Sequence, residues 1–138
     1  MKSIKTTYYL GLGLSLAVAI WHFFVPSMFG WHTYIPAEYE ALHVAIDWVN
    51  VCFSLLLGSQ SLLLILWGEK FFSGNREVFT VYGALTFVWI VRLGLAIFDP
   101  WPLTPLAWPG YLQFGVTVLI LGLLLVPLIK GWAANRAK

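Results

Sequence analysis

One arginine interrupts an otherwise uncharged apolar run. Arg92 lies within Phe79–Phe98, a stretch long enough to cross a bilayer. A guanidinium at that depth costs on the order of 2.5–3.5 kcal/mol on the insertion scale, so it needs a partner or a task. Three chemistries suit it: holding an acidic group, stabilising a developing negative charge, or closing an internal ion pair.

A second set of polar residues lies on one helical face. His43, Asp47, Asn50, Ser54, Gly58 and Ser61 are spaced 4, 3, 4, 4 and 3 apart, which fits 3.6 residues per turn. Every residue on that face is polar or small, so it is expected to face the bundle interior. Ser54, Gly58 and Ser61 permit close helix approach, whereas His43, Asp47 and Asn50 carry the chemistry. Gly11, Ser15, Ala19, His22 and Pro26 form a weaker stripe of the same kind.

At about 1.5 Å per residue, Asp47, Arg92, Gln113 and His22 all fall roughly 7–10 Å inside the same end of their spans. The expectation is one polar pocket built from His22, Asp47, Asn50, Arg92 and Gln113, with His43 above it and Asp99 near its rim. Asp47 is the only carboxylate at this depth and is therefore the expected counter-ion of Arg92. If that pair were dry, removing Asp47 would cost roughly 3–5 kcal/mol.

The histidines carry three readings. His22 and His43 could be hydrogen-bonded interior groups. Either could act as an acid–base group beside Asp47, since His43 and Asp47 stand at i, i+4. The two together could ligate a b-type haem with Arg92 near a propionate. His32, Glu38, Glu40 and His43 cluster on or beside one loop, but HExxH is absent and no metal site is assigned. No GxSxG, P-loop or dinucleotide glycine pattern occurs, and nucleic acid is not an expected partner. With Cys52 alone, disulfide exchange within the chain is excluded.

These residues need elements to hold them, and composition says which. Of 138 residues, 60% are hydrophobic and 10% charged, with mean hydropathy +0.82. Soluble domains carry about 25% charged residues, so this is an integral membrane chain. Four runs reach spanning length, at residues 8–29, 41–67, 79–98 and 108–129. The expected fold is all-α, a single four-helix membrane bundle over residues 1–138. An Ala17-Val18-Ala19 segment resembles a signal-peptidase site, but the apolar run continues to Phe29, as a span would.

Lys2, Lys5, Lys70, Arg76, Lys130, Arg136 and Lys138 all fall on one side of a four-span arrangement. The positive-inside rule then makes both termini cytoplasmic and turns the pocket outward, as in a bacterial inner membrane protein. The outward connections hold many tryptophans, tyrosines and prolines. Asp99 to Pro105 is expected to form a stiff cap.

The leading functional expectation is a binding or accessory protein holding a lipid-like or anionic amphiphilic ligand. Its residues would be Arg92, Asp47, His22, Asn50, Gln113 and His43. The alternatives are a membrane enzyme using His22, His43 and Asp47 as acid–base groups with Arg92 as electrophilic stabiliser, a dimeric proton-linked transporter, and a structural subunit of a larger complex, with or without pigment or haem. Membrane lipids, a hydrophobic or amphiphilic small molecule, and a homo-oligomer or larger membrane complex are the expected partners.

Overall fold

The computed structural model describes residues 2–101 and 107–136, and the side chains of 2–101 and 107–132. Four long helices carry the fold: α1 (Lys2–His22), α3 (Glu40–Leu66), α5 (Arg76–Phe98) and α6 (Trp108–Arg136). All four are long and apolar enough to cross a membrane. Two short helices, α2 (Val25–Met28) and α4 (Gly68–Phe72), lie at opposite ends, and one turn of 3-10 helix covers Trp31–Tyr34.

α1 packs against α3 and α6, and α5 closes the ring between α6 and α3. Consecutive long helices therefore run antiparallel, which places the start of α1 and the end of α6 at one end. The other end carries the aromatic connections and is called the aromatic end below. Leu, Ile, Val and Phe side chains cover the outward faces. That surface suits hydrocarbon, where helices satisfy their backbones internally.

The first helix ends at His22, short of the expected Phe29, and the cause is Pro26. Proline has no N–H for the carbonyl four residues back, and its ring clashes with that carbonyl. The carbonyl in question is that of His22. The chain turns through Phe23 and Phe24, with Phe24 N–H donating to the Trp21 carbonyl at 2.9 Å, and then forms α2 with Pro26 in its first turn. The His22 carbonyl does not go unpaired, because Asn50 Nδ2 donates to it from α3. One proline thus ends α1 and creates the acceptor that ties α1 to α3.

The interior is held by hydroxyls and tyrosines as well as aliphatic packing. Trp89 Nε1 donates to Ser15 Oγ at 3.0 Å, and the Ser15 and Ser61 hydroxyls share a 2.9 Å bond. This junction joins α1, α3 and α5 at buried positions. Nearer the termini, Tyr8 donates to the Leu64 carbonyl at 2.6 Å and Tyr82 to the Leu124 carbonyl at 3.0 Å. Leu124 adjoins the carbonyl that Pro127 leaves without its helical donor. Gly11 lies against this stretch of α6, where a Cβ would meet Leu123 and Leu124 at 3.1 Å. Small residues here are the condition for helix contact, as the α1 stripe implies.

At the terminal end, Asn75 caps α5 by accepting from Val78 N–H at 3.0 Å, and Gly74 adopts φ 84°. The Ser73-Gly74-Asn75 turn thus joins the short helix α4 to α5. The proline-rich cap is described only at Asp99, Pro100 and Trp101. Its remaining residues, 102–105, lie outside the described residues.

Candidate functional site

At the aromatic end a cleft of about 100 Å³ opens between α1, α2, α5 and α6. Its polar lining is His22, Arg92 and Gln113. Its walls are Trp21, Phe29, Trp31 and Trp101, closed by Val25, Pro109 and Val116. Trp31 stacks beside Trp101 with centroids 6.0 Å apart, and Phe29 lies 6.0 Å from the same ring. Trp21 is fixed by an Nε1 contact to Met28 Sδ at 3.2 Å.

Arg92 reaches across from α5 to the end of α1. One terminal nitrogen lies 3.1 Å from His22 Nε2. A guanidinium only donates, so His22 Nε2 is the acceptor and its ring proton sits on Nδ1. The guanidinium carbon lies 5.6 Å from the Trp89 ring centroid and 5.9 Å from that of Phe53. Such ring contacts contribute roughly 0.5–2 kcal/mol each. They soften the cost of the cation but do not neutralise it, and neither does an imidazole acting as an acceptor. Arg92 Nε and His22 Nδ1 are both buried without a hydrogen-bond partner among the described residues.

The expected Asp47–Arg92 ion pair does not form. Among the described residues, the ion pairs are Lys5–Glu69 at 3.1 Å and His32–Asp47 at 3.0 Å. Spacing along α3 placed Asp47 at the right depth, but its rotation turns that residue away from α5. The polar stripe is buried at Asn50, Ser54 and Ser61, whereas Asp47 is exposed and His43 half-buried. The expected 3–5 kcal/mol for stranding Arg92 on loss of Asp47 falls with the pair.

Asp47 instead belongs to a second cluster. It accepts from His32 Nε2 at 3.0 Å, and His32 Nδ1 lies 2.9 Å from His43 Nδ1, the two rings stacked at 5.1 Å. With Asp47 taking the Nε2 proton, His32 Nδ1 accepts from His43 Nδ1–H. His43 Nε2 is then a bare acceptor, buried and without a partner among the described residues. This chain ties the 3-10 turn to α3, and the residue before His32 is Trp31 of the cleft wall. Among the described residues, no group of three His, Cys, Asp or Glu side chains could hold a metal ion.

The structure thus divides the expected pocket. It brings His22, Arg92 and Gln113 together, sets Asn50 behind His22, and moves Asp47 and His43 to the neighbouring cluster. Asp99 caps the end of α5, exposed to the surroundings. A haem held by both histidines does not fit. His22 lines the cleft, His43 does not, and 100 Å³ is below the roughly 300–1,000 Å³ of ordinary ligand pockets. Sequence reasoning missed the role of His32, whose pairing depends on how the loop folds back. It also missed which aromatics form the wall, since every Trp near a membrane end resembles an interfacial anchor. No family model matches the chain, and neither a curated protein nor a solved structure does.

Proposed function

We propose that the chain binds an acidic amphiphile, a molecule with a carboxylate or phosphate head on an apolar body, with the head in the cleft beside Arg92. The observation that carries this reading is a spanning-helix guanidinium that lines an aromatic-walled cleft and has no carboxylate partner among the described residues. Water would satisfy its free donors but would leave its charge uncompensated. An acidic head does both, and a guanidinium can grip it with two parallel hydrogen bonds. Gln113 offers a further donor and acceptor. The charge distribution along the chain supports cytoplasmic termini, so the cleft faces outward, in a bacterial inner membrane on this reading.

The test uses the tryptophans of the wall as reporters, with protein in nanodiscs titrated with dodecyl phosphate, dodecanoate and neutral dodecanol. A saturable fluorescence change is expected with at least one acid and not with the alcohol. Hydrogen bonds to charged groups contribute about 1.5–3 kcal/mol, so Arg92→Gln should weaken the acid by roughly 10- to 150-fold. Arg92→Lys, which keeps the charge and loses the fork, should fall between. Equal responses from acid and alcohol, or an Arg92→Gln variant that binds like the wild type, would overturn the reading.

A further inference from the structure

The cleft at Arg92 is too small for a whole amphiphile, and a second cavity beside it supplies the missing space. A groove of about 410 Å³ runs between the aromatic ends of α5 and α6. Trp101 and Gln113 line both cavities, so head cleft and groove meet at these two side chains. The groove's other walls are Ala96, Pro100, Gly110, Tyr111 and Phe114. Ala96 stands one turn beyond Arg92 on α5, at i, i+4, and so on the same face. Gly110 and Phe114 stand in the same relation on α6. Beside the small residues Ala96 and Gly110, no side chain among the described residues fills the seam between the helices. Tyr111 and Phe114 are 68% and 44% exposed on a membrane helix, so the groove borders the lipid.

We propose that this groove holds the apolar body of the ligand as a single hydrocarbon chain, entered sideways from the leaflet at the aromatic end. The inference rests on the acidic-head reading of the cleft and adds the ligand class: one chain, not two. At about 410 Å³ the groove lies near the lower end of the pocket range of roughly 300–1,000 Å³. One chain fits that space, and a second would have to lie outside it. Head and chain then meet at Gln113, with Arg92 on one side and Ala96 on the other.

The test is a chain-length series of alkyl phosphates, from butyl to dodecyl, titrated into protein in nanodiscs. Each affinity is referred to the amount of ligand partitioned into the bilayer. Ala96→Phe fills the groove and leaves the Arg92 guanidinium in the chain. Butyl phosphate, with little chain to displace, should lose less affinity on this variant than dodecyl phosphate, and its saturable binding shows that the variant is folded. Dodecyl phosphate should bind it about tenfold more weakly, the scale of a misfit in an apolar pocket. Ala96→Leu, a smaller filler, should show the same pattern to a lesser degree. If dodecyl phosphate binds Ala96→Phe and Ala96→Leu as it binds the wild type, while Arg92→Gln still weakens it, the groove is not the chain site and the head reading stands. If Arg92→Gln changes nothing for either phosphate, the head reading itself fails and takes the groove with it.

Discussion

At the scale of single residues, the interior is governed by where protons go. Trp89 is 1% exposed, and its indole N–H donates to Ser15, itself fully buried. Ser15→Ala removes that acceptor and strands a buried N–H, which costs about 1–3 kcal/mol. The loss should appear in reversible unfolding in mixed micelles. The double variant Ser15→Ala with Trp89→Phe should cost less than the sum of the singles, because the second change removes the stranded donor. Additive losses would mean that the bond contributes nothing. Arg92 stands out in the sequence because a charge inside an apolar run is conspicuous. Its neighbour His22 was within the expected pocket, but as a companion of Asp47. Helical spacing gives depth and relative face, not the rotation of one helix against another. At this depth Asp47 and His22 were equally placed, and only packing could choose.

At the scale of elements, the four long helices follow from length and apolar content, and their ends follow from chemistry that hydropathy does not register. α1 stops where Pro26 withholds a donor from His22, although the apolar run continues to Phe29. Asn50, read as part of an active stripe, completes that stop by taking the freed carbonyl. The 3-10 turn at Trp31–Tyr34 is held from one side by the Asp47–His32–His43 chain and from the other by Trp31 against Trp101. Asp47 and His32 have side chains 53% and 39% exposed, so their bond belongs with solvent-screened pairs, at up to about 1 kcal/mol. Asp47→Leu is therefore expected to raise amide exchange in residues 31–36 by at most about fivefold. The buried part of α3, Asn50 to Leu64, should keep its protection. Exchange unchanged in the turn would show that the aromatic contacts hold it alone. Dodecyl phosphate should bind the same variant somewhat more weakly, because Trp31 walls the cleft.

At the scale of the whole molecule, two ends differ in kind. One holds the lysines, Tyr8, Tyr82 and the closely packed helix starts and stops. The other holds a guanidinium with no carboxylate partner among the described residues, a cleft and a groove under a tryptophan-rich rim. Composition and charge distribution made this polarity legible from the outset. The cavities were not legible, because they depend on which side chains fail to fill a seam. The most direct test of an acidic amphiphile at Arg92 is native mass spectrometry of protein purified in a mild detergent. The wild type is predicted to carry, above its 15.6 kDa chain, one bound species that is released as an anion. Arg92→Gln, purified in parallel, is predicted to carry none. A wild type that flies at the bare chain mass, or an Arg92→Gln variant that retains the same species, would contradict the account.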